Sequence, residues 1–134
     1  MTYDYLIVGG GIVGISTAWQ LLQRYPNLRI LVLEKEPHFA GHQTGHNSGV
    51  IHAGVYYQPG SLKADFCRRG NDATTRFCLE HDIPYEQCGK LLVATDKNEY
   101  NLMEKLFERA EENQIEVEWL DREQLKKREP HISG

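Results

Sequence analysis

Residues 5–14 read YLIVGGGIVG, a short apolar run that leads directly into the glycine pattern G-x-G-x-x-G. The apolar residues of Tyr3–Val8 predict a buried strand, and the helical spacing of apolar residues in Ile15–Tyr25 predicts a helix that Pro26 ends. A second apolar run, Ile30–Leu33, predicts another strand. Strand, glycine turn, helix and strand within about 30 residues predict a βαβ unit, so the expected fold class is α/β of the Rossmann type.

The three glycines of the pattern are typical of a dinucleotide site. Gly9 permits the tight turn, Gly11 lets the backbone approach a pyrophosphate, and Gly14 lets the helix lie against the strand. The N-terminus of the helix supplies N–H donors and a partial positive charge to the phosphates. Glu34, which follows the second strand, is expected to accept hydrogen bonds from ribose hydroxyls. The predicted cofactor-binding residues of this unit are Gly9, Gly10, Gly11, Ile12, Val13, Gly14, Glu34 and Lys35. The alternative is a glycine-rich turn that holds no ligand.

The segment after the second strand helps to identify the dinucleotide. A nicotinamide-binding domain continues with another helix and strand, whereas Pro37–Gly60 is irregular and contains five glycines. A flavoprotein can wrap its cofactor with such a segment, so FAD is favoured over NAD. No residue stands out as a point of covalent attachment, and we expect the FAD to be bound non-covalently.

Composition excludes several other classes of function. Fifteen basic and nineteen acidic residues give a net charge of −4, so no general attraction to nucleic acid is expected. The apolar runs are far shorter than the roughly 20 residues that span a bilayer, and no signal peptide is recognisable. The spacing of Cys67, Cys78 and Cys88 contains no C-x-x-C pair, which predicts reduced thiols, no metal site and a cytoplasmic location.

The rest of the chain alternates helix and strand signals. Ser61 is a predicted cap for a helix that runs to about His81, and the expected inner face of this helix is Leu62, Phe66, Ala73, Phe77 and Cys78. Asp96 with Glu99, and Asp121 with Gln124, have the spacing of capping boxes, the first before a helix to about Asn113. The predicted strands of this region are Leu91–Ala94 and Val117–Leu120. We expect residues 1–82 to be the N-terminal part of an FAD-binding domain and residues 83–134 to begin a substrate domain.

Three segments resemble a known family. They are LIVGGGIVGISTAWQL at 6–21, VLEKE at 32–36, and TGHNSGVIHAGVYYQPGSLKA at 44–64 with Cys67 and Gly70 after it. Together they resemble the FAD-dependent oxidoreductases of the D-amino-acid-oxidase type, and the third resembles in particular the members that oxidise L-2-hydroxyglutarate. GKLLVAT at 89–95 and the closing LDREQLKKREP are also similar to segments of this family, so the resemblance covers nearly the whole chain.

This resemblance implies a two-domain flavoenzyme of which the chain is an N-terminal piece, inactive by itself. A Rossmann-type FAD-binding domain would be joined to a sheet-rich α+β substrate domain. The implied reaction is oxidation of L-2-hydroxyglutarate to 2-oxoglutarate, with electrons passing to a quinone or oxygen. A quinone acceptor would place the protein peripherally on the cytoplasmic face of an inner membrane.

The resemblance also implies roles for the glycine-rich segment. Asn47, Ser48 and Gly49 are expected to contact the cofactor, and His52 is the candidate catalytic base because histidine titrates near neutral pH. His52 could instead be a packing residue, and Lys63 is more typical of a solvated lysine than of a carboxylate ligand. Two alternative functions remain open: oxidation of another small substrate, such as an amino acid, a secondary amine or glycerol 3-phosphate, or a non-catalytic nucleotide-binding module.

Overall fold

A computed structural model describes residues 2–132, which form two compact units, 2–50 and 51–132. Residues 133 and 134, the end of the predicted second domain, lie outside the described residues. The elements are β1 (Tyr5–Val8), α1 (Ile12–Arg24), β2 (Ile30–Leu33), α2 (Leu62–Glu80), α3 (Lys97–Glu112) and α4 (Arg122–Arg128). The first three elements belong to the first unit and the three later helices to the second. The domain boundary after residue 82 stays a prediction about the longer protein.

The first unit is the predicted βαβ unit. β1 and β2 pair in parallel, with Tyr5 opposite Ile30 and Val8 opposite Leu33. Beyond the paired strands, Asp4 N–H donates to the Arg29 carbonyl at 2.9 Å and the Asp4 carboxylate accepts from Arg29 N–H at 2.8 Å. The hydrogen bond from Arg29 N–H to the carboxylate is the main reason that the pKa of Asp4 lies below its ordinary value. The prediction of β2 is confirmed. β1 begins two residues later than predicted, and the expectation that it is buried is wrong for the unit described, since Leu6 and Val8 are 57% and 81% exposed.

α1 begins at Ile12, three residues before the predicted start. The reason is that the last glycine of the pattern, Gly14, lies inside the first helical turn and not in the turn before it. The helix ends as expected, with Tyr25 N–H donating to the Leu21 carbonyl at 2.8 Å just before Pro26. Ala18 is the buried residue of the helix, because its small side chain permits close packing.

α2 confirms the predicted helix and its cap. The Ser61 hydroxyl accepts a hydrogen bond from Ala64 N–H at 3.2 Å and donates to the Gln58 carbonyl at 2.6 Å. Cys78 is buried as its apolar spacing predicts, whereas Leu62 and Phe66 are 75% and 61% exposed. The expectation that these two residues form an inner face is therefore wrong for the unit described.

The two later helices are also capped by acidic side chains. Asp121 and Gln124 form the predicted capping box of α4. Asp96 caps α3 by accepting from Asn98 and Glu99 N–H, and the Glu99 carboxylate accepts from the amide and hydroxyl of Thr95 at 2.8 and 2.7 Å. The Thr95 hydroxyl, followed by the Thr95 amide, lowers the pKa of Glu99.

The predicted strands 91–94 and 117–120 are irregular in the structure. A strand needs a neighbour to accept its backbone hydrogen bonds, and within residues 51–132 neither segment has a ladder partner. Trp119, in the second of these segments, packs edge-on against Tyr100 and Phe107 of α3, with ring centroids 5.6 and 5.5 Å apart. Aromatic contacts therefore hold this segment where sheet pairing was expected.

Candidate functional site

Glu34 and Gly10, two of the predicted cofactor-binding residues, come together in the first unit. Gly10 N–H donates to Glu34 Oε2 at 2.6 Å, while Glu34 Oε1 accepts from the N–H groups of Lys35 and Glu36 at 2.8 and 3.1 Å. The Glu36 and Gly10 amides are the two largest causes that lower the pKa of Glu34. A carboxylate has about four lone-pair sites and three are used here, so Glu34 keeps capacity for one more donor on a fixed side chain.

The N-terminus of α1 presents free donors beside this contact. The N-cap residue, Gly11, has no side chain to accept from the helix, and Thr44 Oγ1 accepts from Ile12 N–H at 2.9 Å instead. Within residues 2–132, the N–H groups of Gly11, Val13 and Gly14 donate to no acceptor. Unpaired amides at a helix N-terminus attract an anion, and the Glu34 carboxylate on Gly10 N–H shows that this turn already accommodates one.

Close packing around the turn accounts for two of its glycines. A Cβ on Gly14 would collide with the Gly9 carbonyl oxygen, so only glycine lets α1 approach the end of β1. A Cβ on Gly10 would collide with the ring of Phe39, which lies over the turn. Ala40 N–H donates to the Gly10 carbonyl at 3.1 Å, and Ala40 has a φ of 62°, which is uncommon for a residue with a side chain. The segment after β2 therefore folds back onto the glycine turn.

These residues fit a dinucleotide. The free amides of the turn suit a diphosphate, and the remaining lone pair of Glu34 suits a ribose hydroxyl. The apolar side chains of Ile12 and Val13 are 63% and 76% exposed beside the free amides, where a flat ligand could cover them. The Lys35 ammonium group lies 3.7 Å from the Glu36 carboxylate, and its contact with the cofactor stays a prediction.

Asn47 fixes the conformation of the glycine-rich segment. Its side-chain amide donates to the Gln43 and Thr44 carbonyls at 2.9 and 2.8 Å, and its Oδ1 accepts from Gly49 N–H at 2.7 Å. Gly49 has a φ of 65°, which suits glycine. The exposed Ser48 makes no hydrogen bond within residues 2–132, so its hydroxyl is the group of this trio that is free to meet a ligand.

The backbone of His52 is anchored in the second unit by α2. Its carbonyl accepts from Cys67 Sγ at 3.4 Å and from Asn71 Nδ2 at 3.2 Å. The imidazole is exposed and makes no hydrogen bond within residues 51–132, so it is available to a ligand. The structure describes the two units separately, and the role of His52 toward the cofactor stays a prediction.

Tyr56 and Tyr57 follow His52 and carry several contacts with basic or amide groups. Arg109 donates to the Tyr56 carbonyl at 3.0 Å, and Asn113 donates to the Tyr57 carbonyl at 2.8 Å. The ammonium groups of Lys90 and Lys63 lie 4.3 and 4.8 Å from the centroids of the Tyr56 and Tyr57 rings. These cation–π contacts give Lys63 a packing role, in addition to solvation.

Three features bear on other kinds of site. Among residues 2–132, no three His, Cys, Asp or Glu side chains meet as ligands for a metal ion. In the same range, no helix combines the length and the apolar character needed to cross a membrane. An open depression on α1, between Ser16 and Arg24, is formed by a single helix face and lies away from the glycine turn.

Sequence reasoning missed Thr44, Phe39 and Asn71. Thr44 could have been suspected, because a helix that starts at a glycine must find its capping oxygen elsewhere in the chain. Nothing in the local pattern indicates that Phe39 lies over Gly10. The four-residue spacing of Cys67 and Asn71 places both on one helix face, but it does not identify the carbonyl they bind.

The chain is similar to one family of known proteins over almost its whole length. Over residues 4–134 the chain matches the family described as FAD dependent oxidoreductase. It is 60% identical over 132 residues to L-2-hydroxyglutarate dehydrogenase of Escherichia coli, covering 98% of this chain and 31% of that protein. It is 51% identical to the mitochondrial L-2-hydroxyglutarate dehydrogenase of Nematostella vectensis and 46% identical to that of Pongo abelii, covering 98% and 99% of this chain and 29% and 32% of those proteins. The chain spans about a third of the length of the curated relatives it matches. Since the match includes almost every residue of the chain, the chain belongs to the family of FAD-dependent oxidoreductases.

Proposed function

We propose that the chain is the cofactor-binding part of an FAD-dependent enzyme that oxidises L-2-hydroxyglutarate to 2-oxoglutarate. The observation that carries this proposal is 60% identity to a protein named L-2-hydroxyglutarate dehydrogenase over 98% of the chain. By the full-length protein we mean a polypeptide that contains this chain and is as long as its relatives. The activity is proposed for that full-length protein.

The glycine turn and Glu34 are the proposed binding residues for the adenosine and diphosphate parts of FAD. The amides of Gly11, Val13 and Gly14 are free to donate to phosphate oxygens, and Glu34 is held in place to accept from a ribose hydroxyl. Gly9, Gly10 and Ile12 shape the turn, and the exposed Ser48 hydroxyl is a further donor. Asn47, Gly49 and Lys35 complete the proposed cofactor-binding residues, and Asn47 Oδ1 also accepts from Gly49 N–H, which holds the backbone of this segment.

His52 is the proposed catalytic base. When bound, FAD supplies a two-electron acceptor for the hydride on the substrate's Cα. The hydroxyl group on the same carbon must lose its proton, and the exposed imidazole of His52 can accept that proton. The same proposal includes reoxidation by a quinone or oxygen, with a peripheral contact at the cytoplasmic face of an inner membrane where a quinone is used.

The substrate assignment is tested by anaerobic mixing of the full-length protein with a panel of substrates. L-2-hydroxyglutarate is expected to bleach the flavin absorbance, whereas an amino acid, a secondary amine and glycerol 3-phosphate are not. Bleaching by one of those compounds in place of L-2-hydroxyglutarate would assign another substrate. A purified protein without flavin absorbance would indicate a non-catalytic module. Mixing the reduced protein with oxygen or a quinone analogue then identifies the acceptor.

The role of His52 is tested with His52→Ala. Flavin reduction by L-2-hydroxyglutarate is expected to slow by about 100- to 10,000-fold with unchanged FAD content, because a general base is lost. His131→Ala is the matched control, since His131 is an exposed histidine in the last described turn. A loss of FAD with normal turnover per bound flavin would assign His52 to cofactor packing.

A further inference from the structure

The carbonyl oxygen of His52 accepts two side-chain donors from the same helix. Asn71 Nδ2 lies 3.2 Å and Cys67 Sγ 3.4 Å from this oxygen, although the donors are 19 and 15 residues further along the chain. They are four residues apart on α2, so they lie on one helix face, one turn apart. Two side chains on one face of α2 therefore bind a single backbone carbonyl.

The next turn of the chain is fitted to the same helix face. Gly54 has a φ of 86°, and a Cβ there would lie 3.0 Å from Cys67 Sγ. Any other residue at this position would be strained and would also press on the cysteine. Val55 follows with only 7% exposure, so the residue three positions after His52 is buried. The backbone from His52 to Val55 is thus held by hydrogen bonds, close packing and burial.

The side chain of His52 has no such restraint. It is exposed and makes no hydrogen bond in the described part of the second unit. The region that the imidazole can reach is therefore determined by the position of the His52 backbone, and α2 holds that backbone. Of the two donors, the amide of Asn71 is the stronger, because a thiol is a weak donor.

We propose that Asn71 is a positioning residue for His52: its amide fixes the His52 carbonyl, and with it the place from which the imidazole reaches the substrate hydroxyl. This inference rests on the proposed function, in which His52 is the base. Asn71 touches neither the substrate nor the cofactor in this proposal. Its effect must therefore pass through His52, which makes the inference testable by combining substitutions.

The test uses Asn71→Leu in the full-length protein, alone and together with His52→Ala. Alone, it is expected to slow flavin reduction at saturating substrate by about 10- to 100-fold, the usual cost of a small misplacement of a reacting group. FAD content and the substrate KM are expected to stay unchanged. In the His52→Ala background the further loss should be within about twofold, because the group that Asn71 positions is already gone.

Two additional variants keep the test decisive. Asn101→Leu is the matched control on α3, where the asparagine side chain is exposed and makes no hydrogen bond within residues 51–132, and it should leave the rate unchanged. Asn71→Asp has the shape of asparagine without the N–H donors, so it should reproduce the loss even where Asn71→Leu fails to fold. A normal rate in Asn71→Asp, or an equal loss with and without His52, would overturn the inference. A normal rate in His52→Ala would instead show that His52 is not the base, and Asn71 would then have no base to position.

Discussion

Glu34 shows how one side chain can link the predicted cofactor site to folding. Its carboxylate accepts from three backbone amides in the first unit, at distances of 2.6–3.1 Å. These bonds are made to the charged form, which is why the pKa of Glu34 is lowered. The stability they give is fully present above the ordinary value of 4.5, and it is lost as the pH falls through the lower pKa of the folded protein.

We therefore expect Glu34→Gln to lower the thermal unfolding midpoint of the full-length protein at neutral pH. The difference from the wild type should narrow as the pH falls from 4.5 through the lowered pKa of the folded protein, because the wild-type carboxylate becomes protonated over that range. Thermal unfolding of both proteins over this range, measured without added FAD, provides the check. Glu104→Gln, on the exposed face of α3, is the control and should show no such narrowing. A difference that stayed constant with pH would contradict the role given to these amides.

At the scale of the element, α1 depends on two distant parts of the chain. Thr44, 32 residues after Ile12, provides the acceptor that the N-cap glycine lacks. Gly14 lets the first turn of the helix pass the Gly9 carbonyl. The free amides of the turn therefore depend on the contact of α1 with β1 as well as on the helix itself.

Gly14→Ala and Gly70→Ala should change the free energy of unfolding in opposite directions. Alanine is favoured over glycine inside a helix by about 1 kcal/mol, and at Gly70 in α2 a Cβ meets nothing within 4 Å. Gly70→Ala should therefore stabilise by about 0.5–1 kcal/mol. At Gly14 the Cβ would collide with backbone, and overpacking costs about 1–3 kcal/mol, which exceeds the helix gain. Urea unfolding of the full-length variants measures both, and a stabilised Gly14→Ala would show that α1 can move away from β1 at little cost.

The elements differ in how far the sequence could predict them. The βαβ unit follows from local patterns, because β1, the glycine turn and α1 each leave a signal in their own residues. The segments at 91–94 and 117–120 look like strands for the same local reason, but pairing depends on a neighbour that local composition cannot supply. Thr44 and Asn71 act on residues 32 and 19 positions away, so no pattern at the recipient predicts them. The glycine turn and Glu34 could thus be predicted as a site, whereas their surroundings could not.

At the scale of the whole molecule, the described residues bury few large side chains. The buried apolar residues are few, and most of them are small: Ala18, Val55, Cys78, Ala110 and Leu125. Large apolar residues such as Val8, Val13 and Leu79 are 81%, 76% and 65% exposed. Exposed apolar area of this kind favours association with another surface.

We expect the isolated 134-residue polypeptide to self-associate and to bind FAD much more weakly than the full-length protein. Its exposed apolar side chains can be covered by other copies, and one βαβ unit offers donors to only part of the cofactor. Analytical ultracentrifugation over a range of concentrations, with FAD titration by fluorescence, measures both properties. A monomer that binds FAD with one-to-one stoichiometry and unfolds in one sharp transition would contradict this expectation.

The hydrogen bonds of Asn47 have a consequence for the affinity of the proposed site. They join the residues from Gln43 to Gly49 through groups of the chain itself, and His46 adds a bond to the His42 carbonyl at 2.8 Å. Fixing the backbone of one residue costs about 1–2 kcal/mol of conformational entropy. Because these hydrogen bonds order the segment during folding, the binding of a cofactor beside it does not have to supply that entropy cost. The segment is preorganised, and more of the interaction energy of FAD remains available as net affinity.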